Sequence, residues 1–418
     1  MPINLDQESF VSLLRPGSLV YVQGLSGESL VLANHVLKAG AALGPTTFTG
    51  LFIPGLNRND YLANPDCRVV TYFMTPELKK AGAAVDFRPL CYGDILTDLR
   101  TRPIDAALVM LSPPNQDGLC SFGPIVDFLP DLWANIPTLI GHINPLLPPT
   151  RGAPGIPFSR LSAYIYAGQP LLGQSEELAD DEALAIADFI AQITPDGATL
   201  QVGLGKIPGA VLRSLTTRKN LRIHSGLISD AVLALKQAGA LAPGIAVTGG
   251  VAIGSPALYE ACSDPAFEFR PVSHTHSARV LAAIGHFIAI NSAIEVDLFG
   301  QAYAECGPRG WMSGPGGASD FARGAKIGGG LRIVALPSTA KAGATSRIVD
   351  PRIAFGPVSL GRMDVDIVVT ENGLADLRGL DHETRADRLI GIAAEAHRPA
   401  LIAAWRDLSE KLNKGGGK

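Results

Sequence analysis

Thr199-Leu-Gln-Val-Gly203-Leu-Gly205-Lys-Ile-Pro208-Gly-Ala-Val-Leu212, followed after a short spacer by Leu221-Arg-Ile-His224-Ser-Gly226-Leu-Ile-Ser-Asp230, is the stretch that decides how this chain folds. The apolar run Leu200 to Val202 reads as a buried strand. Gly203 and Gly205 let the backbone turn tightly and approach a ligand closely. Pro208 suits the first turn of a helix, where its missing N–H has no partner to lose. The free amides around Lys206 and Ile207 therefore mark a helix N-terminus, which favours an oxyanion or a phosphate. A second strand, Leu221 to His224, leads into Ser225-Gly226, predicted to face the same crevice.

Outward from this stretch, short β-like runs alternate with helix-like ones, the pattern of parallel α/β folds. Strands are predicted at Leu19–Gln23, Ala106–Leu111, Leu139–Asn144, Ile245–Thr248, Phe287–Asn291, Leu331–Leu336 and Val365–Thr370. Helices are predicted near Ser29–Lys38, Asp180–Ile193 and Glu383–His397, and loops at Pro145–Pro157 and Arg270–His276. The tail beyond Lys411 is expected to fray. A boundary near Gly173–Asp181 divides the chain into domains 1–178 and 179–418.

With 35 basic and 39 acidic residues among 418, and no dense Lys/Arg cluster, nucleic acid is excluded as a partner. The five cysteines (Cys67, Cys91, Cys120, Cys262 and Cys306) show no Cys-x-x-Cys spacing, which points to a reducing cytoplasm and to neither a disulfide frame nor a metal site. No apolar run approaches the ~20 residues of a membrane span, and the N-terminus has no signal-peptide pattern. The Gly203 loop does not complete a dinucleotide fingerprint: Pro208 takes the third glycine's place, and no acidic residue ends a strand about 20 residues later.

Several further motifs occur in a fixed order. They are Ile104-Asp-Ala-Ala-Leu-Val-Met-Leu-Ser-Pro113, Asp117-Gly-Leu-Cys-Ser-Phe-Gly123, Asn291-Ser-Ala-Ile-Glu295-Val-Asp-Leu298, Ser313-Gly-Pro-Gly-Gly317-Ala-Ser-Asp-Phe321, Ser338-Thr-Ala-Lys341 and Thr370-Glu-Asn-Gly373-Leu-Ala-Asp-Leu-Arg-Gly379. With the opening stretch they cover nearly the whole chain, which resembles the acetyl-CoA hydrolase/transferase family that includes 4-hydroxybutyrate CoA-transferase. The resemblance implies two pseudo-repeated α/β domains, each an open, mainly parallel sheet of the CoA-transferase fold. It also implies coenzyme A as part of the substrate, no tightly bound cofactor, and a homodimer or higher homo-oligomer. In that family a Gly-x-Gly loop precedes His-Thr-Glu-Met-x-Ser-Asp-Gly, whose glutamate becomes a glutamyl-CoA thioester. Here the glutamate position falls on Gly226, which cannot carry an acyl group.

Carried over residue by residue, the resemblance assigns CoA and oxyanion binding to Gly203, Gly205, Lys206, Ile207, Asn291, Gly316, Gly317 and Lys341. Proline at 315 replaces the family's small aliphatic residue in the second glycine-rich loop. Glu295, in an apolar stretch, is a candidate acid, base or substitute nucleophile, beside a structural reading that also covers Glu371 and Asp376. His224, His274 and His276 are candidate bases or structural histidines, and His274 with His276 has no third metal ligand by spacing; His224 and His276 are carried forward. Three activities fit: an acyl-CoA hydrolase cleaving a thioester or the C–C bond of a β-oxoacyl-CoA, a transferase with Glu295 as relocated nucleophile, or a non-catalytic CoA-binding subunit.

Overall fold

The run Ala-Ala-Leu-Val-Met-Leu at Ala106–Leu111 is buried at every position, as a central parallel strand covered on both faces must be. Around it, the computed structural model, which describes residues 2–57, 60–308 and 310–414, forms an eight-stranded sheet. Its order is Ile3–Asn4, Ala163–Tyr166, Thr138–Ile143, Ala106–Leu111, Leu19–Val22, Thr47–Gly50, Arg68–Thr71 and Val85–Phe87. Neighbouring strands are parallel throughout. The connections run outward in both directions from the Leu19–Val22/Ala106–Leu111 pair, which makes this the topological switch point of the sheet.

This sheet belongs to the first of two compact units, which comprises the chain up to Ser175 together with Ile223–Asp230 and Pro243–Ser277. The later segments add the parallel strands Arg222–Ile228, Val247–Ala252 and Phe267–Phe269. The second unit holds Glu176–Arg222, Ala231–Ala242 and the chain from Ala278 on. In it Thr199–Gln201, Phe287–Ser292, Leu331–Ala335 and Ile367–Thr370 run parallel in that order, and Gly373–Asp376 returns antiparallel. Both units thus carry mainly parallel sheets flanked by helices, the α/β architecture read from the alternating sequence.

Helix boundaries in the second unit follow local capping chemistry. The Asp180 carboxylate accepts from Ala183 N–H at 3.0 Å and starts the Asp181–Ile193 helix. The Ala318–Ile327 helix is held on the Phe287–Ser292 strand by Leu281, Phe287, Ala289, Phe321 and Ala325, all buried. A larger core of Val296, Leu298, Val334, Leu336, Val368 and Leu377 packs against Leu389, Leu401 and Trp405 of the last two helices. These cores fix the strand ends from which the second unit's glycine-rich loops leave.

Three local expectations are revised. The Arg222–Ile228 strand continues through Ser225 and Gly226 to Ile228, because its pairing with Val247–Ala252 extends to Leu227 and Ile228. Within the presumed loops, Val272–Thr275 is one helical turn, and Ile156–Pro157 pairs with Leu119–Cys120. The long C-terminal helix ends at Ile392, and a separate helix runs from Arg398 to Lys414, past the expected point of fraying at Lys411. The final Gly-Gly-Gly-Lys lies outside the described residues.

Candidate functional site

The glycine-rich loop after Thr199–Gln201 owes its shape to one residue. Gly205 holds φ +114° and ψ −178°, a conformation essentially restricted to glycine, and caps the Lys206–Ser214 helix. The helical ladder opens with Gly209 N–H bonding the Gly205 carbonyl, so the Lys206 and Ile207 amides precede it. Pro208 falls in this first turn. On the other side, Lys341 and Ala342 at the tip of the Thr339–Ala340/Thr345–Ser346 hairpin hold φ +53° and +52°. Two successive left-handed non-glycine residues store strain of the kind found at ligand-binding sites.

These elements share one cavity of about 440 Å³. Gly205, Lys206, Ile207, Lys341 and Arg347 line it, as do Ser292 and Ala293 at the end of the Phe287–Ser292 strand. Asn291 immediately precedes those two residues, whereas Gly203, Gly316, Gly317 and Glu295 are not in the lining. Gly316 (φ +61°) and Gly317 open the Ala318–Ile327 helix, as expected of the second glycine-rich loop. All these residues belong to the second unit.

The charges around the cavity are balanced. Lys206, Lys341 and Arg347 face Glu177, Asp180 and Glu182. Lys206 Nζ sits 2.9 Å from the Asp180 carboxylate, which lowers the pKa of the acid and raises that of the lysine. Burial, then the nearby Glu371 and Asp180, push the Glu182 carboxyl upward. Burial also raises Glu295, although its Oε1 accepts the Phe355 N–H. Glu371 is committed to Ser338, accepting from both its N–H and its hydroxyl. Asp376 pairs with Arg378 at 2.7 Å. Both therefore carry local structural bonds.

The first unit holds the histidines. His224 is buried, and its Nε2–H donates to the Thr275 carbonyl at 3.1 Å. His276 is also buried; its Nδ1 lies 2.9 Å from the Thr275 hydroxyl, and its ring stacks on Tyr92 at 4.4 Å. His274 lies 5.9 Å from the His224 ring. Burial drives His224 down to about 4 and His276 down to about 3, so both rings are neutral at pH 7. Among the described residues, no group of His, Cys, Asp or Glu has the arrangement of a metal site.

One carboxyl in this unit had no motif to announce it. Asp127 is buried, holds φ +41°, and is pinned by its N–H to the Gly250 carbonyl and by its carbonyl to Val272 N–H. Burial, then Asp131, push its pKa up to about 8, against a bond from Phe128 N–H. Only its neighbourhood, with buried Tyr21 and, among the described residues, no facing cation, makes it visible.

Asp127 and the two histidines set an expected pH profile for stability. The folded protein holds Asp127 protonated up to pH 8 while the unfolded chain releases that proton near 3.9, so stability falls as pH rises through this window. The histidines act oppositely: unfolded rings protonate below about 6.5 and folded rings stay neutral, so stability falls with acid. Two groups outweigh one below pH ~6.5, which places the maximum near that value. From there to pH 8 the expected net loss is about 1 kcal/mol, the Asp127 loss being partly offset as the last unfolded-state histidine protons are released. Urea titrations from pH 5 to 9 should show the maximum, and Asp127→Asn should flatten its alkaline side. An unchanged alkaline fall in that variant rules out Asp127 as its source.

Comparison with known proteins gives consistent results. The family model described as acetyl-CoA hydrolase/transferase C-terminal domain matches residues 254–405. A 4-hydroxybutyrate coenzyme A transferase of Clostridium kluyveri is 36% identical over 333 residues, 77% of each chain. An acetyl-CoA hydrolase of Neurospora crassa is 27% identical over 378 residues, covering 78% of this chain and 70% of that one. The crystal structure of a 4-hydroxybutyrate CoA-transferase from Porphyromonas gingivalis superposes with a TM-score of 0.81 at 31% identity, over 96% of both chains. Among the described residues, no helix is long and apolar enough to cross a membrane.

Proposed function

Because the chain belongs to the acetyl-CoA hydrolase/transferase family, we propose that it is an acyl-CoA hydrolase in which water replaces a protein carboxylate as nucleophile. The observation that carries this reading is Gly226 at the position where the family's motif has its glutamate. A residue without a side chain forms no anhydride or thioester, so acyl transfer through this position has no covalent route.

The cavity at Gly205 supports binding of the thioester carrier. Its helix-start amides and its strained lysine hairpin suit a ligand bearing negative oxygens. In the reaction, water adds to the thioester carbonyl, a neutral base takes its proton, and the C–S bond breaks. The proton then passes to the departing thiolate, giving the acid and free CoASH. With a β-oxoacyl-CoA, water adds at the β-carbonyl instead. The Cα–Cβ bond breaks, and the α-carbon takes the proton, giving an acid and a shortened acyl-CoA.

Transfer through Glu295 is the second reading. Its raised carboxyl lies two residues beyond Ala293 in the cavity wall. Its bond to Phe355 N–H counts against free nucleophilic attack. For the homo-oligomer, the exposed Ile353, Phe355, Val358 and Met363 offer an apolar surface on one segment.

The test is to incubate the pure protein with simple and β-oxo acyl-CoAs without an acceptor acid and to follow products by mass spectrometry. Hydrolysis gives product at once, and free CoASH against a shortened acyl-CoA identifies the bond. Product only after a carboxylate acceptor is added, with a CoA adduct trapped on Glu295, would establish transfer.

A further inference from the structure

We infer that Arg347 is the oxyanion-holding residue of the Gly205–Lys341 cavity, receiving a carboxylate or phosphate oxygen of the ligand on its guanidinium. This deepens the acyl-CoA reading and rests on it for the ligand's identity, but the chemistry follows from the arginine itself. No motif in the sequence singled it out.

The backbone of Arg347 is fixed on both sides. Its N–H donates to the Ser338 carbonyl at 2.9 Å, and its carbonyl accepts Val296 N–H at 2.8 Å. It lies between the two-residue strands Thr345–Ser346 and Ile348–Val349. Its side chain, by contrast, is almost uncommitted. Of the five N–H donors of a guanidinium, one Nη1 hydrogen reaches the Ile294 carbonyl, at a long 3.4 Å. The Nε–H is fully buried and has no partner among the described residues. Leaving a buried donor of a charged group unpaired is costly, and the cavity is the space this residue lines.

The rest of the lining explains why an arginine is needed. Lys206 is already bound to Asp180. Lys341 is exposed on the hairpin tip. Glu177, Asp180 and Glu182 would repel an anion that met only diffuse positive charge. Glu182 and Glu295 both feel the charge of Arg347, yet among the described residues no carboxylate closes on it. A planar fork selects two oxygens of one group by geometry, which a point charge cannot do. The Lys206 and Ile207 amides at the helix start add donors to the same cavity.

Calorimetric titration of the full chain with CoA, dephospho-CoA, pantetheine, inorganic pyrophosphate and succinate, for wild type, Arg347→Lys and Arg347→Gln, tests the assignment. Loss of a charged hydrogen-bond donor predicts binding weakened about 10- to 100-fold in Arg347→Gln, with Arg347→Lys recovering only part of it. A loss confined to CoA, dephospho-CoA and pyrophosphate, with pantetheine unchanged, identifies a phosphate. A loss confined to succinate identifies a carboxylate. Affinities within twofold of wild type for every ligand, in a variant that keeps the wild-type melting temperature, overturn the role of Arg347. If Arg347→Gln does not fold, Arg347→Lys carries the comparison by the same criteria. Pyrophosphate and succinate test the arginine even if wild type fails to bind CoA, a result that would remove the acyl-CoA reading instead.

Discussion

Gly205→Ala should lower kcat/KM for acyl-CoA about 100-fold or more, whereas Gly203→Ala should leave it within a few-fold. The two glycines sit two residues apart in one loop but differ in what they require. A Cβ on either meets nothing within 4 Å, so neither substitution fails by collision. The difference is in the backbone. Gly205 holds φ +114° and ψ −178°, which an L side chain resists by about 1–3 kcal/mol, while Gly203 has no left-handed φ. Alanine at 205 either keeps the strain and lowers the melting temperature, or rotates out of it. Rotation turns the first amides of the Lys206–Ser214 helix away from the cavity. Parallel measurement of kcat/KM, CoA affinity and melting temperature in both variants separates these costs. Equal losses at both positions would show that the loop's glycines act through space and not through conformation.

The largest stability effect is expected at Asp366. Its Oδ2 accepts from Arg332 Nε at 2.8 Å and from Arg332 N–H at 3.0 Å, and its Oδ1 accepts from Arg332 Nη2. The Asp366 N–H returns a bond to the Arg332 carbonyl at 2.9 Å. The pair thus clamps the entry of two adjacent parallel strands, with the arginine side chain 14% exposed and the aspartate 7%. Removing the carboxylate strands a guanidinium in a poorly solvated place, so Asp366→Ala should cost about 3–5 kcal/mol. Replacing both residues, as in Arg332→Met with Asp366→Leu, should cost much less, because no charge is left unpaired. Urea unfolding of the two variants decides: if the double variant is no more stable than Asp366→Ala, the pairing argument fails.

What could be read from the sequence was what periodicity and local chemistry encode. Ala106–Leu111 was legible residue for residue, because a strand buried on both faces is an unbroken apolar run. The Asp181–Ile193 helix was legible because Asp180 is a good N-cap. The Gly205 loop and Lys341 were legible as motifs, and the cavity brings them together. Arg347 and Asp127 were not legible. Each matters through what surrounds it: among the described residues, an arginine whose buried Nε–H has no acceptor, and an aspartate that no cation faces. Val272–Thr275 was missed because one helical turn is too short to show a period, and its polar residues look like a loop.

The balance of three cations against three anions around the cavity has a kinetic consequence. In a protein of net charge −4, such a mouth presents almost no field beyond a Debye length of about 8 Å at physiological salt. A polyanionic carrier is therefore not steered in from a distance, and its capture is limited by orientation at collision, on the order of 10⁵–10⁷ M⁻¹ s⁻¹. The same neutrality lets a spent carrier diffuse away without a long-range pull to hold it. Discrimination is thus confined to the last few ångströms of approach, and turnover in dilute solution depends little on ionic strength.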